Sequence, residues 1–312
     1  MPYEGGGGGH SSRPYCQVCC SAIWVYLQSS VSCRECAYSA HLACLEGVTR
    51  ECVAAKVRAQ PDFILDICPE KSLPSLRFRC VECDRRLSWT NPDSQPRLCD
   101  YTGLSFCPSC HWGASAVTPA RVLHNWDFQP QPVSQAAGQY LHLMHTKPVI
   151  NVTRENPKLL AVVHNLQLVH ALREKVIVMK KYLVVCRIAA EKKLLLHLSD
   201  RQHFVDGAAY YSMQDLMDIE SGALVDYLHA KTELFAEHIR TCVLCVAKGF
   251  VCEICNEEGE KKAEVIFPFE DGSSACKECG AVFHRQCFKT VPGCPRCERK
   301  KRRDNNSDKG KQ

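Results

Sequence analysis

Long apolar runs are missing from this 312-residue chain. No segment approaches the roughly 18 consecutive apolar residues that a membrane helix needs, so no spanning helix is expected. The opening MPYEGGGGGH has no apolar core of a secretory leader, which argues against a secreted, disulfide-stapled scaffold. Charge of one sign is scarce too. The net charge of +5 is too small and too dispersed to predict nucleic-acid binding. Paired carboxylates, a nucleophile triad and a phosphate-cradling glycine loop are also absent, and no catalysis is expected.

Cysteine, by contrast, is abundant at 23 residues. Sixteen of them form eight C-x-x-C pairs: Cys16/Cys19, Cys33/Cys36, Cys80/Cys83, Cys107/Cys110, Cys242/Cys245, Cys252/Cys255, Cys276/Cys279 and Cys294/Cys297. Chance placement at this density gives roughly two. In a reducing compartment such pairs bind metal rather than oxidise, and two thiolates three residues apart reach one tetrahedral ion. Eight redox pairs in one chain are implausible. The expectation is a cytoplasmic protein holding several Zn2+ ions.

The pairs fall in three regions around a helical middle. Residues 1–9 are a flexible glycine-rich lead. Residues 10–54 read Cys16-x2-Cys19, then Cys33-x2-Cys36-x4-His41-x2-Cys44-x7-Cys52, with His10 ahead of them. Residues 68–128 hold two knuckles, Cys80-x2-Cys83 and Cys107-x2-Cys110, that close one ion. Cys99 and His111 are candidates for a second ion, Cys68 is unassigned, and His124 reads as a packed histidine. Over 156–241 apolar positions such as Leu166, Val169, Val176, Met179 and Leu183 recur at three and four, the helical period. Asn156-Pro157 suits a helix start. Ser212 with Asp215 resembles a capping box, and Gly222 breaks the pattern before a last helix.

The third region, 242–297, runs Cys242-x2-Cys245-x6-Cys252-x2-Cys255-x20-Cys276-x2-Cys279-x4-His284-x2-Cys287-x6-Cys294-x2-Cys297. Its last eight ligands suit two interleaved sites. Cys252, Cys255, His284 and Cys287 form one, and Cys276, Cys279, Cys294 and Cys297 the other. Cys242 and Cys245 are left over. His238 stands four residues before Cys242, one helical turn, and Cys186 lies on the apolar stripe of the middle. These four are expected to hold a further zinc. Arg299, Lys300, Lys301, Arg302 and Arg303 open a basic tail, 299–312, expected to be disordered.

The first region resembles the C1 domain. That resemblance implies one site from Cys16, Cys19, His41 and Cys44, and another from Cys33, Cys36 and Cys52, completed by His10 or by a residue upstream. Some C1 domains bind diacylglycerol between two apolar loops. The first loop here, 23–29, has Val25 and Ser29 where lipid-responsive members have glycine. A module for stability and protein contact is therefore expected, with a diacylglycerol-responsive adaptor as the alternative.

Two runs are more specific. One is Arg97-Leu98-Cys99-Asp100-Tyr101-Thr102-Gly103, continuing through Phe106-Cys107-Pro108-Ser109-Cys110-His111-Trp112 to Pro119-Ala120-Arg121-Val122-Leu123-His124-Asn125-Trp126-Asp127-Phe128. The other is Ala247-Lys248-Gly249-Phe250-Val251-Cys252-Glu253-Ile254-Cys255, followed by Ile266-Phe267-Pro268-Phe269. These resemble the Rubicon-homology domain, over 68–298. The resemblance implies a zinc-rich α+β fold: a small C1-like β module, then zinc-finger subdomains (68–128 and 242–297) flanking a helical layer (156–241). It implies a non-catalytic adaptor, peripheral to late endosomes and lysosomes, that binds a small GTPase of the Rab7 type and other endolysosomal adaptors. Peripheral membrane contact, lysosome positioning and delivery to a ruffled border belong to the same expectation. A RING-like ubiquitin ligase is the enzyme alternative. A RING, however, places its histidine in a C-x-H step after the third cysteine ligand, whereas His284 is the fifth ligand here.

Overall fold

The structure, a computed structural model, describes residues 15–24, 26–256 and 264–309, with side chains of the last helix described up to Arg303. The glycine-rich lead, His10, Val25, the charged insertion 257–262 and the last residues of the tail lie outside the described residues.

The fold is mixed α+β. Every sheet among the described residues is a two-stranded antiparallel pair, with strands of two or three residues. Hairpins this short are not stable by themselves, so their register depends on what their ends are tied to. The chain divides into two compact units, 1–160 with 210–217, and 161–209 with 218–312. The division differs from the expected one. The N-terminal module shares a unit with the 68–128 knuckles, and the helical stretch is divided between the units.

In the first unit, helix Val53–Ala59 turns Val53, Ala54 and Val57 inward. It packs against helix Gln135–Met144, which buries Ala137, Tyr140, Leu141 and Met144. The N-cap Ser134 Oγ accepts the Ala137 N–H at 3.3 Å. Two tyrosines fix the connection between the cysteine-rich stretches: Tyr140 Oη accepts the Asp62 N–H at 3.2 Å, and Tyr101 Oη that of Ile64 at 3.0 Å. Ser212 and Asp215 form the reciprocal capping box. The Ser212 N–H reaches Asp215 Oδ2 at 2.8 Å, and the Asp215 N–H reaches Ser212 Oγ at 3.1 Å.

In the second unit, helices His164–Leu183 and Ala223–Thr241 pack along each other. Leu166, Val169, Val176, Met179 and Leu183 supply one apolar stripe, and Leu228, Phe235 and Ile239 the facing one. Gly222, at φ +81°, makes the break before the second helix. Arg173 is fully buried within this layer. Its Nη2 donates to Gly207 O at 2.7 Å, and its guanidinium lies 4.2 Å from the centre of the Phe204 ring.

Tyr182 meets Phe267 and Phe269 edge-on, at 5.7 and 6.3 Å between ring centres, so the Ile266–Phe269 run is an aromatic clasp on the long helix. The final helix runs Pro295–Lys309 and takes in most of the tail expected to be disordered. It starts with proline inside the Cys294/Cys297 knuckle, which supplies a pre-formed first turn. Arg299 pairs with Glu253 at 2.5 Å.

Gly249 shows why the Ala247–Phe250 run is specific. A Cβ there would stand 2.1 Å from Val265 Cγ1 and 3.1 Å from Phe267 Cε1. Gly249→Ala is expected to lower unfolding free energy by about 1–3 kcal/mol through overpacking, read as a reduced midpoint in denaturant titration.

Candidate metal centres

A C-x-x-C knuckle is built from backbone before any metal arrives. After four of the second cysteines the next residue takes a left-handed conformation: Cys20 at φ 64°, Ala37 at 56°, Asp84 at 57° and Gly280 at 69°. Its N–H closes the turn on the first cysteine's carbonyl, as in Cys20 to Cys16 at 2.8 Å and Asp84 to Cys80 at 2.9 Å. The turn aims the following N–H groups at the first sulfur. Those of Cys36 and Glu35 pull the Cys33 thiol down to about 7. Those of Cys279 and Glu278 do the same for Cys276.

Five groups of four ligand atoms result, each group's atoms lying within 4.8 Å of one another: Cys16, Cys19, His41, Cys44; Cys80, Cys83, Cys107, Cys110; Cys186, His238, Cys242, Cys245; Cys252, Cys255, His284, Cys287; and Cys276, Cys279, Cys294, Cys297. A tetrahedral ion with metal–sulfur bonds of ~2.3 Å sets its sulfurs ~3.8 Å apart, far beyond the ~2.05 Å of a disulfide. The observed separations fit: 3.6 Å for Cys83–Cys107, 3.6 Å for Cys186–Cys242, 3.8 Å for Cys276–Cys297 and 3.5 Å for Cys279–Cys294. Cys52 lies 3.8 Å from both Cys33 and Cys36, which gives a sixth cluster of three sulfurs. The fourth ligand expected for it, His10, lies outside the described residues.

Each histidine turns one ring nitrogen to the sulfurs, and for His41 the second nitrogen is also held. His41 Nδ1 faces Cys19 Sγ at 3.4 Å and Cys44 Sγ at 3.9 Å, while its Nε2 meets Gln28 Oε1 at 2.9 Å. If Nε2 carries the proton, Nδ1 keeps its lone pair toward the sulfurs. His284 Nδ1 faces Cys255 and Cys287 at the same 3.4 and 3.9 Å. In the third group it is Nε2 of His238 that faces Cys186 at 3.5 Å and Cys245 at 3.7 Å. Burial, then the Lys192 charge, lowers the His238 pKa and keeps the ring neutral.

His111 does not join a metal. One ring nitrogen, Nε2, sits 3.0 Å from Leu98 O, and the other, Nδ1, takes the Gly113 N–H at 3.4 Å. With both nitrogens spent on backbone, the ring has no lone pair to offer, so the Cys99 and His111 site expected from the sequence is set aside. His124 Nε2 likewise meets a carbonyl, Leu65 O, at 3.1 Å.

The first and last modules repeat one pattern. Both the first and the last modules carry C-x2-C-x4-H-x2-C on a hairpin whose second strand ends at the histidine. Ser30 pairs with His41 in one, and Ser273 with His284 in the other. The signal was present in the spacing. The modules differ at the end, where Cys294-x2-Cys297 has Cys52-x2-Ala55 as its counterpart.

Residues 97–302 match the Rubicon Homology Domain family. The chain belongs to that family. Over 291 residues it is 41% identical to the Drosophila melanogaster "Differentially expressed in FDCP 8 homolog", covering 93% of this chain and 58% of that protein. The Caenorhabditis elegans protein of the same name is 35% identical over 301 residues, covering 95% and 62%. Human "Pleckstrin homology domain-containing family M member 3" is 34% identical over 232 residues, covering 74% and 30%. The chain thus spans about three fifths of the first two relatives. In the Rubicon Homology Domain, the motif residues hold the knuckles in place. Asp100 takes a forked contact from Arg121, with Nε at 2.9 and 3.1 Å from its two oxygens, and Arg97 Nη1 donates to His111 O at 2.7 Å.

Without a cation each group holds its protons unevenly. Burial raises Cys16, but the N–H groups of Cys19, His41 and Val18 outweigh it and bring the thiol to about 6. Burial and the adjoining Cys16 and Cys19 sulfurs push Cys44 up to about 11. Burial and Cys186 push Cys245 to about 12. Metal must therefore displace tightly held protons. The metal-bound folded state carries no proton on these sulfurs, whereas unfolded thiols do, so stability rises with pH and is lost on acidification. Metal affinity is expected to fall progressively on acidification as protons compete for the sulfurs, and a colorimetric chelator measures the release. Cys186→Ala is expected to cost one bound ion per chain by elemental analysis, while Cys20→Ala costs none; an unchanged count for Cys186→Ala removes the third group.

Proposed function

We propose that this chain is a non-catalytic zinc adaptor. It binds a GTP-loaded small GTPase of the Rab7 type together with partner adaptors, and it regulates lysosome positioning and endolysosomal trafficking, including delivery of lysosomes to a secretory ruffled border. The observation that carries this reading is membership of the Rubicon Homology Domain family over residues 97–302. Zinc is the ion proposed, because all-cysteine and Cys3His tetrahedral sets are its structural signature.

Two features support an adaptor over an enzyme. Each of the five groups already supplies four protein donors, whereas a catalytic zinc keeps a position for water or substrate. A RING-type ligase, the enzyme alternative, would place its histidine in a C-x-H step after the third cysteine ligand, whereas His284 is the fifth of the last eight ligands here. The proposed site of action is peripheral to late endosomes and lysosomes.

The test is calorimetry of the zinc-loaded chain against a panel of Rab proteins in both nucleotide states. Binding to a GTP-loaded late-endosomal member, and not to its GDP form, is the expected result. No nucleotide-dependent binding to any member overturns the GTPase reading.

A further inference from the structure

The second unit exposes aliphatic side chains in an unusual place. Val184 is 59% exposed, Val185 58%, Val243 79% and Leu244 39%. All four flank ligands of the Cys186, His238, Cys242, Cys245 group, whose own residues are buried. Cys186 Sγ and Cys242 Sγ are 3.6 Å apart, so the segments 184–186 and 242–245 are brought together. Both follow the C-terminal ends of the long helices, at Leu183 and Thr241. A metal held between the sulfurs would fix this tip, so docking through it would cost little ordering entropy.

The exposed charges that flank these segments in the chain are mostly of one sign. Lys181, Arg187, Lys192, Lys193 and Lys248 stand against Glu191 and Glu237. Lys192 and Lys193 follow Cys186 by six and seven residues, just past the short helix Arg187–Glu191. Composition decides the occupant. Protein hot spots favour Trp, Tyr and Arg, and protein interfaces are depleted in Lys. Small aliphatic residues flanked in the chain by exposed lysines suit a bilayer interface. There the apolar groups enter between headgroups while the ammonium groups reach up to the phosphates.

We propose that this metal-stapled tip is a wedge that binds anionic membrane surfaces, with Val184, Val185, Val243 and Leu244 inserting and the lysines contacting lipid phosphate. The inference does not rest on the GTPase reading, and GTPase binding measured in parallel keeps the two apart.

The experiment is cosedimentation of the zinc-loaded chain with vesicles of phosphatidylcholine, with or without phosphatidylserine. Leu27→Asp serves as the background, because Tyr26 and Leu27 form a second exposed apolar loop. The expected result is binding that requires phosphatidylserine and is weakened by Val185→Asp and by Val243→Asp, with zinc content unchanged. Lys192→Glu is expected to weaken it by about fivefold or more, since one cation near such a surface is worth about that factor. If Val243→Asp disturbs the metal, Val185→Asp and Lys192→Glu carry the comparison. Two outcomes overturn the proposal: vesicle binding that all three variants retain, or loss of GTPase binding in Val185→Asp with vesicle binding intact, which makes the tip a protein interface.

Discussion

Everything in this fold depends on how a thiolate is held at the first position of a knuckle. Donor N–H groups converge on that sulfur, as those of Cys36 and Glu35 do on Cys33. The left-handed residue after the second cysteine makes the convergence possible. The two-stranded pairs are too short to persist alone. Several of them end at or beside ligands: two hairpins close at His41 and His284, and the strand Arg97–Cys99 pairs with Leu104–Phe106, next to Cys107. A metal bound at these ligands would therefore also fix the register of those pairs. Structural zinc contributes on the order of 10 kcal/mol per site in small fingers, comparable to the whole stability of a domain.

The ligand groups were legible because a tetrahedral ion demands two close donors, and C-x-x-C supplies them within one turn. Pairing between knuckles was harder to read. Cys186 and His238 stand 52 residues apart and meet at 3.5 Å. No local pattern announces that contact, and it emerged from counting unused donors. His111 misled the count because its spacing imitates a ligand. Its fate was decided by the Leu98 carbonyl and the Gly113 N–H, groups that become neighbours only after the chain has folded. The unit division was also beyond the sequence. Periodicity shows which face of His164–Leu183 is apolar, but not which other helix covers it.

The two motif runs, whose specificity first pointed to a family, turn out to be structural staples. Asp100 and Arg121 form a forked, partly buried pair. Gly249 clears space for Val265 and Phe267, and Phe267 stacks on Phe269 at 5.4 Å. Such residues identify the fold because their alternatives are sterically or electrostatically costly. They are inward-looking, and a partner meets other side chains. Family membership therefore follows from the core of these units, while partner choice has to be sought on the exposed surface.

That separation explains why the third metal group matters beyond stability. The other four groups close within one module, by donors less than about 35 residues apart in the chain. The Cys186 group instead joins the ends of two long helices that already share an apolar seam. The seam buries Val169, Val176 and Met179 of one helix and Leu228, Phe235 and Ile239 of the other, and the ligand group adds a second tie at the helix ends. Four buried ligands that could hold one ion lie at the end where the exposed aliphatic residues stand, and a bound ion would fix that end. A surface that must present the same shape to each partner gains from such a restraint, since the ordering cost is met during folding rather than at each encounter.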